Sequence, residues 1–215
     1  RKTKTNFNGS FYRLVDYPSS VKKEQHFLLK QNLFLRKTET FNGFPTQQIV
    51  YWAPSYITSI FQNNENIGSY STPKSGIMTG KDDIFVHYWF EVPLQSSSLF
   101  ENNLTKIQEG KITWFPLTRG GQFRKWYGNQ EYVINMRSSG FDITHLKNNN
   151  YRLRDPNYYF KECGTWTMIS SNSLSVRFVP NNILYGNGGP TIFPRDHLPY
   201  IIALLNSKVA NYFTK

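Results

Sequence analysis

The stretch "KITWFPLTRGGQFRKWYGNQEYVINM", residues 111–136, decides the fold. Aromatic and β-branched residues fill both ends, while glycines and polar residues fill the middle. That is the pattern of strand, loop and returning strand. The first run, 111–117, reads as a strand cut by Pro116. Residues 119–129 read as a loop or hairpin tip, and 131–136 as the strand that returns. The tip gathers Arg119, Arg124 and Lys125, the pair Gly120 and Gly121, and the rings of Trp126 and Tyr127. A packed core has no use for this set, because Arg and Lys are rarely buried unpaired. A surface that holds a phosphate chain and touches bases does.

Working outward, the same criteria predict further strands at 10–17, at "IVYW" (49–52), at "IFVHYWFEV" (84–92), at "GTWTMIS" (164–170) and at "LSVRFVP" (174–180). The run 84–92 is nearly continuous in apolar residues and reads as a buried strand. "PSSVKKEQHFLLKQNLFL" (18–35) reads as a helix with Val21, Phe27, Leu28 and Leu33 on one face. "APSYITSIFQN" (53–63) predicts a short helix opening near Pro54 or Ser55. Residues 39–48, 93–110 and 138–160 read as irregular. "LPYIIALLNSKVANYF" (198–213) is the clearest helix, with Pro199 in its first turn and Ile201, Leu205, Val209 and Tyr212 as an apolar stripe. Strands in the middle and helices at the ends give an α+β fold, a twisted and mostly antiparallel sheet with peripheral helices.

The chain has 215 residues, 39% hydrophobic and 17% aromatic, with a formal net charge of +11. It can bury a real core and is no disordered tail. A basic excess of this size favours a polyanionic partner over a neutral glycan. Residues 1–37 carry nine Lys and Arg against Asp16 and Glu24, a net of +7, leaving +4 for the rest. The single cysteine, Cys163, rules out an internal disulfide framework and suits a reducing cytoplasm. Its reading is a buried bystander. No apolar run reaches membrane-spanning length and no signal peptide is visible, so no membrane partner is expected. The chain opens on Arg1 rather than Met, which reads as a fragment.

Two loops carry candidate chemistry. In 119–129, Arg119, Arg124 and Lys125 can meet phosphates or guanine edges, with Gln122 and Asn129 as further polar groups. Gly120 and Gly121 permit close backbone approach. Trp126 or Tyr127 can stack on a base or wedge a step. An ordinary hairpin with a solvated tip stands beside this reading. The second loop, "TPKSGIMTGKDD" (72–83), offers Lys74, Ser75, Thr79 and Lys81 to phosphate, and Asp82 or Asp83 to the cytosine amine. A plain hairpin turn fits it about as well. It is not a phosphate-binding NTP loop, because Gly76 and Gly80 are four apart, Lys81 is followed by Asp82, and a strand follows.

Other motifs fall short of their chemistry. "GNGGP" (186–190) leads into Pro190 and a strand, so it reads as a turn rather than a dinucleotide site. "DPNYYF" (155–160) matches the adenine-methyltransferase motif at Asp155 and Pro156 but has Asn157 where a second proline belongs, with no glycine-rich cofactor loop upstream. Asp83 with the Glu109-Gly110-Lys111 triple is a weak nuclease pattern. His26, His87, His145 and His197 lack zinc spacing, so no metal and no catalytic residue is expected.

Five blocks together resemble one family: "QIVYWAPSYITSIF", "PKSGIMTGKDDIFVHYWFEV", "ITWFPLTRGGQFRKWYGN", "YYFKECGTWTMISSNSLSVRFVPNN" and "LPYIIALLNSKVANYF". In this order they look like the C-terminal half of BREX-system adenine-specific DNA methyltransferases of the PglX type, which are similar in plan to type IIG restriction-modification enzymes. The resemblance implies a fold of the DNA methylase specificity-domain type. It implies that residues 1–40 are a basic linker or the end of a catalytic methyltransferase domain, and that 41–215 are a DNA target-recognition domain ending in the helix 199–213. The implied partners are double-stranded DNA, the catalytic domain of the same protein and other defence-system subunits. S-adenosylmethionine is implied for the parent protein and no cofactor for this fragment, which is expected to be non-catalytic alone. A different class of reading is an assembly module that contacts other defence subunits and reads little sequence. A carbohydrate-binding domain, suggested by the many Tyr, Trp and Asn residues, is disfavoured by the charge.

Overall fold

A computed structural model describes residues 7–44, 47–99, 110–170 and 173–213. The chain divides into two compact units, residues 1–69 and 70–215. The boundary at residue 40 that the resemblance implies lies within the first unit.

In the first unit, β1 (Asn8–Tyr12) pairs antiparallel with β2 (Leu33–Lys37), Tyr12 opposite Leu33. Between them lies α1 (Ser20–Leu28), opened by Ser19, whose hydroxyl accepts from the Lys22 amide at 3.3 Å. The helix is shorter than the apolar pattern predicts. Lys30 and Asn32 adopt φ of 52° and 54°, which turns the chain and places Leu33 in β2. Asn tolerates this left-handed conformation better than most residues. Within this unit α1 buries none of its side chains. After β2 comes a 3₁₀ turn, Thr38–Gly43, and then α2 (Ser55–Asn63) with Pro54 at its N-cap. Phe44, Ala53 and Ile57 form a small core with Val50 and Phe61. Phe11 stacks on Tyr51 at 5.0 Å and meets the edge of Phe41 at 5.7 Å, tying β1 to the residues beyond 40. "IVYW" is not a strand. The Val50 and Ala53 amides donate to Gln48 and Val50, so the segment turns instead of pairing.

The second unit holds two four-stranded sheets. One is ordered β3 (Ser71–Lys74), β10 (Thr191–Pro194), β7 (Cys163–Thr165), β8 (Arg177–Val179), all antiparallel. The other is ordered β4 (Val86–Tyr88), β6 (Tyr132–Asn135), β5 (Trp114–Thr118), β9 (Leu184–Tyr185). Its single parallel pair is β5 with β9. The architecture is α+β with mainly antiparallel sheets, as the pattern of strands and terminal helices predicts.

Pro116 does not cut its strand. The Met136 amide donates to Thr113 at 2.8 Å, and alternation along the ladder then makes Pro116 and Val133 a non-hydrogen-bonded pair. The proline nitrogen faces away from β6, and β9 begins only opposite Leu117. No ladder bond is lost, so a proline is tolerated inside the sheet.

The run 84–92 departs further from expectation. It is a helical turn, α3 (Asp82–Phe85), then three strand residues, then a 3₁₀ turn Trp89–Glu91. The Thr79 hydroxyl accepts from the Lys81 amide at 3.2 Å and donates to Asp82, and Glu91 accepts from the Tyr88 amide at 2.8 Å. Only Phe85 of this run is deeply buried before Val92; Tyr88, Trp89 and Phe90 are exposed. The stretch 138–160, expected to be irregular, overlaps α4 (Arg137–His145), whose first turn is left-handed at Ser138, Ser139 and Gly140.

The apolar core gathers Ile77, Phe85, Ile112, Phe115, Leu117, Ile134, Met136, Ile143 and Leu184. A second cluster holds Cys163, Val179, Ile183, Tyr185 and Phe193. Burial drives the Cys163 thiol up to about 12, and burial with the Asp155 carboxylate drives Tyr159 up to about 12. Burial likewise raises Tyr185. Each group is held neutral in the fold, so its contribution is intact below the ordinary values of 9.0 and 10.0 and is lost as pH rises towards the folded values. Denaturant midpoints are expected to be level from pH 7 to 9 and to fall between pH 10 and 12. A midpoint unchanged at pH 11 would show that these groups ionise without opening the core.

The C-terminal helix breaks in two. α5 (Leu198–Asn206) carries Pro199 in its first turn, and α6 (Lys208–Phe213) follows. Ser207 is extended and its hydroxyl accepts from the Ala210 amide at 3.1 Å, capping a new helix. The break ends the predicted stripe: Ile201 and Ile202 are buried, while Val209 and Tyr212 face solvent. Asn206 takes the core position instead. Its amide accepts from the Val176 N–H at 2.8 Å and donates to the Val176 carbonyl at 2.7 Å. Among the described residues, no helix is long and apolar enough to cross a membrane.

Candidate nucleic-acid interface

Three segments run side by side at the ends of the strands: 76–79, 118–121 and 185–189. The Ile77 amide donates to Tyr185 at 2.8 Å, the Asn187 amide to Ile77 at 2.7 Å, and the Gly186 amide to Thr118 at 2.8 Å. Glycines make this spacing possible. A Cβ on Gly76 would lie 2.1 Å from the Gly186 carbonyl oxygen, and one on Gly120 would lie 2.4 Å from that of Gly188. Gly120 thus serves packing between loops. "GNGGP" is the third member of the stack, which its sequence alone reads as a turn.

This stack joins the two candidate loops. Arg119 Nη2 lies 2.6 Å from Asp82 Oδ2, and the Thr79 hydroxyl donates to the other Asp82 oxygen. Arg119 also lies over the Tyr132 ring at 5.3 Å. Lys81 and Asp83 stand exposed beside Asp82. Thr79 and Asn129 are buried, with 1% and 5% of their surface exposed. Asn129 donates to the Gln122 carbonyl at 3.0 Å. Both shape the loops from inside. Lys74 points elsewhere: its ammonium lies 3.6 Å from Asp155 and 4.1 Å from the centre of the Tyr158 ring. Ser75, Gly121 and Gln122 are exposed.

The tip of 119–131 is pinned where its chemistry is densest. Trp126 has φ of 75°, which a bulky residue rarely adopts. Two backbone bonds hold it there: its amide donates to Val176 at 3.0 Å, and its carbonyl accepts from Phe178 at 2.8 Å. The backbone is locked to β8 while the ring stays 55% exposed. Tyr127 and Phe123 are also exposed. Lys125 Nζ donates to the Asn206 carbonyl at 2.9 Å. Arg124 Nη1 meets Glu131 at 3.0 Å, an exposed pair of the kind that contributes little and opens readily.

Sequence reasoning missed several supports. Arg152 pairs its backbone with Met78, Arg154 Nε donates to the Gly76 carbonyl at 3.1 Å, and Asn149 donates to the Thr79 carbonyl at 2.8 Å. These come from 138–160, whose polarity hides its role. Arg177 is fully buried under the tip. Among the described residues, no group of three or more His, Cys, Asp or Glu could hold a metal ion. Glu109 lies outside the described residues.

No protein-family model matches the chain. It is 33% identical over 208 residues to the adenine-specific methyltransferase BrxX of Escherichia coli O9:H4 (strain HS), covering 94% of this chain and 16% of that protein. It is 35% identical over 221 residues to the adenine-specific methyltransferase PglX of Lacticaseibacillus casei (strain Zhang), covering 96% of this chain and 18% of that protein. The chain matches a segment of adenine-specific methyltransferases. It spans less than a fifth of the length of either relative.

Proposed function

We propose that this chain is the DNA target-recognition domain of an adenine-specific DNA methyltransferase in a restriction-modification or BREX-like phage-defence system. The observation that carries the reading is Trp126, held at positive φ by bonds to Val176 and Phe178 at β8, with its ring exposed and Arg124, Lys125 and Tyr127 beside it in the chain. A strained, locked backbone that presents an aromatic ring suits stacking or wedging against bases. Arg119 and Arg124 sit on the same loop in exposed ion pairs that a phosphate or a guanine edge can replace. The similarity to adenine-specific methyltransferases supplies the chemistry being directed. Methyl transfer from S-adenosylmethionine belongs, in this reading, to another part of the parent protein, which extrudes the target adenine. Residues 41–215 read the duplex and 1–40 lead to the catalytic domain, in the cytoplasm.

Selection of bound duplexes from a random pool at two salt concentrations tests this. An enriched motif with affinity falling as salt rises is the expected result. No binding at low salt would sink it. Arg124→Ala is expected to weaken binding by about 1–3 kcal/mol and to relax one base position, with little change in thermal stability. Unchanged affinity and selectivity would take the tip out of the interface.

A second reading, an assembly module, draws on a different patch. Tyr88 stacks on Phe90 at 5.3 Å and on Tyr132 at 4.8 Å, with Trp89 edge-on to Phe90. Exposed aromatics in contact favour a protein neighbour. Binding to other defence subunits with no DNA affinity would select it.

A further inference from the structure

We infer that a second anchoring site, a pocket for a phosphate group, lies at the elbow between α5 and α6. This rests on the DNA-reading function proposed above and extends it to the C-terminal helices. The pocket has a volume of about 370 Å³ and is lined by Lys125, Ser173, Lys208, Asn211 and Tyr212. Two of the five lining residues are lysines and none of the five is acidic. Like charges gathered in one concavity repel each other, and an anion between them removes that cost. A phosphate also offers several acceptor oxygens to lysine ammonium groups and to a hydroxyl such as that of Ser173.

The pocket is built on fixed parts. Lys125 is anchored by donation to the Asn206 carbonyl at the end of α5, leaving further ammonium protons for a ligand. Asn206 is itself locked to both backbone groups of Val176. Lys208 is exposed and stands directly after the extended Ser207 that breaks the helix. Asn211 donates to the Ser207 carbonyl at 2.9 Å, bracing the elbow. An unbroken helix would have carried Lys208 on round α5 instead.

The source of the phosphate follows from Lys125. It is the neighbour of Arg124 and Trp126 in the tip, so a duplex touched by the tip brings its backbone to this elbow. The pocket therefore takes a phosphodiester of the DNA being read. It positions the duplex without reading its bases.

Binding of the selected duplex by the full chain, measured across a salt series, tests the site. Lys208→Gln is expected to weaken all sequences alike and to reduce the slope of log K against log salt by about 0.9, one phosphate contact. A wild-type slope in this variant, with binding otherwise intact, overturns the pocket and leaves the proposed function standing. A parallel titration with inorganic phosphate, followed by the amide resonances of Ser173, Lys208 and Tyr212, separates the sources. If the chain binds no DNA but these resonances shift saturably, and Lys208→Gln abolishes the shift, the phosphate site holds and the duplex as its source falls. With neither DNA binding nor a phosphate response, both proposals fall.

Discussion

Gly76→Ala is expected to lower the unfolding free energy by about 2–3 kcal/mol, at the upper end of what overpacking costs. The added methyl would stand 2.1 Å from the carbonyl oxygen and 2.2 Å from the carbonyl carbon of Gly186. These are backbone atoms, so no side chain can swing aside. Relief requires the 76–79 and 185–189 segments to separate, and the bonds between Ile77, Tyr185 and Asn187 to stretch. Gly188→Ala is the control. Its φ of 91° disfavours any side chain, but the nearest atom to a new Cβ is 4.0 Å away. That variant should lose only the conformational cost of a left-handed residue, about 1–2 kcal/mol. Equal losses in the two variants, measured by denaturant unfolding, would show that the stack yields. Under the proposed DNA-reading function, the Gly76 variant should also bind DNA more weakly, because the same stack sets the Asp82–Arg119 junction.

Arg177→Met is expected to do the reverse and raise stability by about 1–2 kcal/mol. Arg177 is fully buried, and among the described residues its Nε and Nη2 have no hydrogen-bond partner. Nη1 donates to the Arg124 carbonyl at 3.5 Å, a long bond. Burial depresses its pKa, the Arg124 charge adds to that, and Glu131 opposes both. A guanidinium in this position carries a desolvation penalty that its surroundings do not offset, and an unbranched apolar side chain of similar length removes it. Arg177→Lys keeps the charge on a more strongly hydrated group and should be the least stable of the three. If the methionine variant instead loses several kcal/mol, Glu131 is the partner of Arg177 in solution. The Arg124–Glu131 pair would then be the weaker claim on that carboxylate.

Much of this architecture was legible in local chemistry. Strand, loop and returning strand over 111–136 follow from aromatic and β-branched runs on either side of a glycine-rich polar middle. The α2 boundary at Pro54 and the α5 opening at Pro199 follow from what proline does at a helix start. The elbow at Ser207 was also written locally, in an Asn-Ser pair inside an apolar stripe, and the stripe masked it. The run 84–92 misled because apolar content reports burial only on average. There, the Thr79 hydroxyl accepts from the Lys81 amide and Glu91 accepts from the Tyr88 amide, which turns the backbone, and Tyr88, Trp89 and Phe90 lie on the surface.

What residue types alone determined is a basic α+β chain with most of its excess charge in residues 1–37 and a local cluster of cations and rings in 119–129. That conclusion needs only the charge and shape of the side chains. Which of those groups face outward was decided by tertiary structure. Thr79 and Asn129 are buried where distant segments meet them, Asn149 donating to the Thr79 carbonyl and Thr118 to that of Asn129, whereas Trp126 is exposed because β8 and Val176 hold its backbone. The same neighbours leave a glycine at 76 no room for a methyl and place an arginine at 177 in the core. A contact between residues a hundred positions apart depends on how loops stack, and no local pattern records that.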